Sequence, residues 1–210
     1  MSGPDAKLRT IAACSPTLAR RGAQLPCSSA DGQAMPDHLP WALTKGTPIM
    51  TNPVHPEARI GHVHLKVADL ERAIAFYAGV LGFALTQRYG AQAAFLSAGG
   101  YHHHIGLNTW ESRNGTPPPP GHTGLYHTAF LYPDRASLGD ALRRVIEAGI
   151  PLDGAADHGV SEAIYLRDPD GNGVELYRDR PEAEWPRDTE GNLAMINDPL
   201  DLEALLAEAA

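Results

Sequence analysis

Histidine is the unusual residue of this chain, ten in 210. Two of them, His62 and His127, stand at matching places in two strand-like segments, and Glu175 lies in a third, between Val174 and Leu176. Alternation in the first segment sends Val63, Leu65 and Val67 one way and His62, His64 and Lys66 the other. Val174 and Leu176 are placed to face a helix, which turns Glu175 away from it. A carboxylate in such a strand costs on the order of several kcal/mol to bury unless it is paired or metal-bound. Two imidazoles and one carboxylate converging from three strands make a facial triad with open coordination positions, the usual holder of non-haem Fe(II). The same residues also read as two hydrogen-bonded histidines and a surface glutamate, and spacing alone leaves both readings open.

The elements that must position them occur twice. Ile60–Val67 reads as a strand, and Asp69 is placed to cap a helix carrying Leu70, Ala73, Ile74, Tyr77, Val80 and Leu81, which Gly82 ends. Strand-like stretches follow near 84–89, 93–98 and 102–109. After Pro117–Pro120 the order restarts. A strand is predicted over Tyr126–Leu131, then a helix capped by Asp134 with Leu138, Ala141, Leu142, Val145 and Ile146, ended by Gly149. Strands near Leu152, over Ala163–Arg167 and over Val174–Arg178 complete it, with Asp168–Gly173 as the turn between the last two. His62 and Asp69 map onto His127 and Asp134 with one offset, 65 residues. The expected fold class is α+β, two tandem βαβββ modules (58–112 and 122–178) whose curved sheets form a half-barrel around a cleft.

Charge divides the chain further. Residues 1–55 carry five basic and three acidic side chains, both cysteines (Cys14, Cys27) and no sustained periodicity, so they read as a disordered extension. Residues 56–178 hold 13 acidic and ten basic side chains and eight histidines. Residues 179–210 hold nine acidic and two basic ones and read as a peripheral tail, ending in a short helix on Leu200, Leu202, Leu205 and Leu206 that is expected to pack on the core or on a partner subunit. A start near Met50 is expected. The net charge of −8 leaves no surplus of Lys and Arg for phosphates, which argues against nucleic acid. No apolar run approaches the ~18 residues of a membrane span. Two cysteines do not make a disulfide framework. With no secretory pattern, the cytoplasm is the expected compartment.

The run His158, Ile164-Tyr165, Asp168-Pro169, Gly171, Glu175 resembles the signature of type I extradiol ring-cleavage dioxygenases of the vicinal oxygen chelate superfamily. That family's repeated βαβββ module matches the repeat above, and the resemblance spans about residues 58–180. Ala156 departs from it, where the family has Gly, Asn, Thr or a β-branched residue. His102-His103-His104-Ile105-Gly106-Leu107 is similar to the family's His-His-x-Ile-Ala-Leu strand. The resemblance implies His62, His127 and Glu175 as ligands of Fe(II), or of Mn(II). It implies His158 and Tyr165 at the substrate oxygens, His103 facing dioxygen, O2 as co-substrate, and a small aromatic diol opened to a semialdehyde.

An ungapped offset of 70 sets His103 opposite Gly173 and Ile105 opposite Glu175, so one ion is expected, since Ile105 supplies no ligand. His64, Leu107, Trp110 and Tyr126 are candidate pocket walls. His102 and His104 are expected to face away, His122 to be solvated, and His38 and His55 receive no role. Exposed sheet edges are compatible with a homodimer or a higher homo-oligomer, and the sequence leaves the oligomeric state open. Two other functions stay open: a metal-dependent glyoxalase-like lyase or isomerase, which would want a fourth ligand, and a metal-free binding protein of the bleomycin-resistance type.

Overall fold

The computed structural model describes residues 53–209. The expectations for residues 1–52, with their two cysteines, lie outside the described residues. The chain divides into two units, Met1–Arg59 and Ile60–Ala210. Of the first, Pro53–Arg59 are described and include a turn in which Ala58 N donates to His55 O (2.8 Å). The second unit carries every strand and helix below.

Module one comprises β1 (Val63–Lys66), α1 (Leu70–Ile74), β2 (Ala84–Tyr89), β3 (Ala93–Ser97) and β4 (Ile105–Asn108). Module two comprises β5 (Thr128–Leu131), α2 (Arg135–Glu147), β6 (Leu152–Asp157), β7 (Ser161–Arg167) and β8 (Gly173–Asp179). The tail adds β9 (Asp198–Pro199) and α3 (Leu202–Ala207). Two open sheets result, ordered β1-β4-β3-β2 and β5-β8-β7-β6-β9. In both, the first strand lies parallel to the last of its module and the remaining pairs are antiparallel. The α+β repeat stands as read.

Each α-helix begins at an aspartate whose carboxylate takes a backbone N–H of the first turn. Asp69 accepts from Arg72 N, Asp134 from Ser137 N and Asp201 from Ala204 N. The first helix departs from the single helix expected up to Gly82. After Ile74 it widens into a π-helical stretch, Ala75–Val80, in which Leu81 N donates to Phe76 O (3.0 Å). The wider turn brings sequence neighbours Phe76 and Tyr77 inward together, both buried.

One hydrophobic core joins the two modules. Leu65, Val67, Ile105 and Leu107 from the first sheet and Ile164, Leu166, Val174 and Leu176 from the second pack with Leu70, Tyr77, Leu138 and Leu142 of the helices. Such side chains contribute roughly 1.5–3 kcal/mol each when fully buried. The tail is not peripheral. β9 pairs with β6 (Ala156↔Pro199, Asp157↔Asp198), and Leu205 is buried in the same core. Helix periodicity located α3, and of the two placements expected for its leucines, the core or a partner subunit, Leu205 takes the core.

Candidate metal centre

His127 leads into β5 and Glu175 lies on β8, which pairs with β5 in the register Thr128↔Val174 and Ala129↔Glu175. The approach is close because residue 173 is glycine. A Cβ there would fall 2.0 Å from Tyr126 O and 3.0 Å from His127 Cα. His127 Nε2 meets Glu175 Oε2 at 2.9 Å. The other carboxylate oxygen, Oε1, accepts from Tyr165 OH at 3.1 Å, and Tyr165 OH lies 2.8 Å from His158 Nε2. Tyr165 faces Glu175 because β7 and β8 pair in the register Tyr165↔Glu175. Four side chains therefore form one hydrogen-bonded run, His127–Glu175–Tyr165–His158.

Its far end is held by the tail. His158 Nδ1 lies 3.2 Å from Ile196 O, and Ile196 N donates back to His158 O at 3.1 Å. A carbonyl only accepts, so Nδ1 carries a proton and Nε2 is turned to Tyr165, whose single hydroxyl proton serves either Nε2 or Glu175 Oε1 at one time. Burial first, then the Glu175 charge and the hydrogen bond to it, pushes the Tyr165 phenol up to about 12. His127 Nδ1 is buried without a hydrogen-bond partner. A cavity of about 180 Å³ opens beside Tyr126, His127 and Tyr165.

A second histidine group lies on module one. The His62 ring is 4.5 Å from that of His103, which is 5.0 Å from Phe95. His64 lies 5.6 Å from Trp110 and 6.0 Å from Phe95. Burial, then the charges of His62 and His102, lowers the pKa of His103; burial, then His62, lowers that of His64. Among the described residues, no group of three His, Cys, Asp or Glu stands close enough to hold an ion. The structure thus brings together His127, Glu175, Tyr165 and His158, and separately His62, His103, His64 and Trp110. The donor types, imidazole and carboxylate, suit a divalent first-row metal. The number in one place within a single chain falls one short of the expected triad.

Two sequence expectations are corrected. Leu107 is fully buried in the core and is not a pocket wall, because Gly106 takes the open face of β4 and Leu107 points to the helices. The offset of 70 also fails. β1 and β4 pair as Val63↔Ile105 and β5 and β8 as Thr128↔Val174, so an offset of 65 on the first strand becomes 174 − 105 = 69 on the last. Gly106, not Ile105, is the counterpart of Glu175. In module one His64 lies over Gly106, where a Cβ would come within 2.9 Å of its ring. In module two the same pair is Ala129 and Glu175. His103 reaches the open face because the chain is irregular before β4, which starts at Ile105 and not at His102. His104 instead bonds Ser97 Oγ at 3.1 Å.

Residues 59–176 match the family model described as the Glyoxalase/Bleomycin resistance protein/Dioxygenase superfamily. The chain belongs to this superfamily. Members similar to it include the catechol-2,3-dioxygenase of Bacillus subtilis (strain 168), 45% identical over 157 residues, which are 74% of this chain and 54% of that protein. The biphenyl-2,3-diol 1,2-dioxygenase 3 of Rhodococcus globerulus is 33% identical over 121 residues, 58% of this chain and 63% of the relative. The chain thus spans about half to two thirds of the length of these relatives. A glyoxalase/dioxygenase structure from Nostoc punctiforme aligns with a TM-score of 0.50 at 21% identity, covering 63% of this chain and all of that one. A superfamily domain from Frankia sp. EAN1pec aligns with a TM-score of 0.50 at 23% identity, covering 59% and 98%. These two likenesses show the fold. No helix among the described residues is long and apolar enough to cross a membrane.

Sequence reasoning missed two parts of the site's support. The Ile196 carbonyl is a backbone group and leaves no mark in side-chain patterns. The buried Tyr77 OH donates to Asp168 Oδ2 (3.0 Å) in the turn before β8 and ties the first helix to module two. Helical spacing marks that tyrosine as core and says nothing of its hydroxyl.

Proposed function

We propose that this protein is an extradiol dioxygenase that opens a catechol-type ring with O2, using Fe(II), or alternatively Mn(II), held by His62, His127 and Glu175. The run His127–Glu175–Tyr165–His158 carries this reading, and the dioxygenase names of two relatives support it. The ion, when bound, supplies Lewis acidity toward the diol and a path between the electron-rich ring and O2.

The protein's own groups handle protons and position. Tyr165 stays protonated and holds Glu175 in place. His158, with Nδ1 tied to the tail, offers Nε2 at the Tyr165 oxygen, where a substrate hydroxyl can pass its proton. His103, its pKa lowered, is neutral near pH 7 and offers a hydrogen bond to an oxygen that gains charge. Phe95 and Trp110 flank the histidines of module one with aromatic surface suited to a ring. A glyoxalase-like site would use a fourth donor at the counterpart of Glu175, and that residue is Gly106. A metal-free binder has no need of the His127–Glu175 contact.

The test is oxygen uptake by Fe(II)-reconstituted protein with catechol, 3-methylcatechol or 2,3-dihydroxybiphenyl, followed with the absorbance of the yellow ring-opened product. One O2 consumed per product supports the proposal. A bound metal with no uptake on any of the three moves the reading to a lyase, and no bound metal moves it to a binding protein.

A further inference from the structure

We infer that the cavity between Phe83 of module one and Phe130 of module two is a second ligand site that takes an aromatic monocarboxylate, Arg144 holding the carboxylate and the two phenylalanines the ring. The inference stands apart from the His-His-Glu reading. The cavity measures about 500 Å³, within the usual range of small-molecule sites. It shares no lining residue with the cavity beside His127, and of the described histidines only His104 lines it. Its apolar walls follow from the chain geometry. Gly82, at φ +85°, closes the first helical segment and turns the chain back, so that Phe83 N donates to Tyr77 O (3.0 Å). Phe130 comes from β5, and the two rings lie 4.9 Å apart at 53°. A tilted pair of this kind offers both faces and edges to a third ring. Leu81, Leu131 and Pro133 extend the apolar surface.

The polar side of the cavity is held in place before any ligand arrives. Arg144 stands one helical turn after Asp140, and its Nη2 lies 3.0 Å from Asp140 Oδ2. Its guanidinium passes over Gly82, where a Cβ would collide with Nη1. Arg144 Nε is buried with no hydrogen-bond partner. A buried N–H without an acceptor is rare in a folded chain, and the missing group is an oxygen with a lone pair. The Tyr132 hydroxyl, which also lines the cavity, makes no hydrogen bond among the described residues. Burial raises its pKa, so it remains a donor, and the charges acting on it are those of Arg144 and Asp140. No acidic side chain lines the cavity; Asp140 touches Arg144 from outside it. One guanidinium and one phenol, both donors, beside an aromatic wall match a single carboxylate carried on a ring. A neutral ring would leave Arg144 Nε unpaired.

The test is isothermal titration calorimetry on the full-length chain without metal. The probes are benzoate and biphenyl-4-carboxylate, each beside its neutral amide. One carboxylate is expected to bind per chain, and the matching amide about tenfold more weakly or worse, because hydrogen bonds to charged groups are the stronger kind. Arg144→Met keeps the apolar stem and removes the charge and the N–H groups, and is expected to weaken carboxylate binding by the same factor. Ala98→Trp fills the cavity from an exposed position just after β3 and is expected to abolish binding. Circular dichroism checks that each variant folds, and Ala98→Trp decides alone if Arg144→Met does not. Failure of both carboxylates to bind overturns the inference. So does equal binding of acid and amide, or unchanged affinity in either folded variant. With no metal present, each of these outcomes leaves the His-His-Glu reading standing, which the oxygen-uptake test decides separately.

Discussion

The ring of His158 is anchored to the backbone of Ile196, 38 residues further on, by its own Nδ1 and by the return bond from Ile196 N to His158 O. The strand pairing of β9 on β6 holds the two segments together, so the C-terminal tail sets which nitrogen of His158 faces Tyr165. Nitrogen-15 spectra of the histidine rings at pH 7 are expected to show His158 protonated at Nδ1. An Nε2–H tautomer in the wild type would contradict the anchoring.

Tyr77 links the modules through a bond buried at both ends, its hydroxyl on Asp168 Oδ2. Asp168 also accepts from Asp170 N, Asn172 N and Asn172 Nδ2, so it organises the turn that leads into Gly173 and β8. Tyr77→Phe removes one partner of a buried carboxylate and is expected to cost about 1–3 kcal/mol. Urea unfolding checks this, read as a lower midpoint at unchanged slope. A midpoint equal to the wild type would show that the bond contributes nothing.

Gly106 and His64 are a matched pair. Gly106→Ala places a methyl group within 2.9 Å of the imidazole ring and is expected to destabilise by about 1–3 kcal/mol through overpacking. Adding His64→Ala removes the obstacle, so the double variant is expected to regain most of the loss. The cycle is measured by chemical denaturation, and additive losses would mean that the ring and the glycine do not interact.

The Tyr165 phenol has its ordinary value, 10.0, in the unfolded chain and is pushed up to about 12 in the fold. A raised folded-state value contributes stability that is whole below the unfolded value and lost as pH rises toward the folded one. Metal-free protein is therefore expected to lose stability between about pH 10 and about pH 12. Tyr165→Phe is expected to flatten part of that slope. Tyr77, whose pKa is raised by burial and then by Asp168, keeps its own share in the variant. Urea midpoints across this window decide, and a variant as steep as the wild type would refute the assignment.

The repeat was legible because its causes are local. Alternation in Val63–Val67, aspartate caps and glycine stops act within a few residues, so both modules and the parity of His62, His64 and Glu175 could be read directly. His158 and Tyr165 entered only through the family resemblance, and their contact with Glu175 rests on the register of β7 with β8 and on the Tyr165 hydroxyl. The offset of 70 failed at one residue. An ungapped overlay cannot register the irregular chain before Ile105, and a slip of one position exchanges the two faces of a strand.

The sequence by itself determined the elements, their order and the types of donor available, because those follow from short-range periodicity and side-chain chemistry. Tertiary structure alone decided which donors meet. Strand pairing brought Glu175 to His127 and the tail to His158, while the ring of His62 meets that of His103 instead. These distances depend on contacts between residues far apart in the chain, which no local pattern encodes.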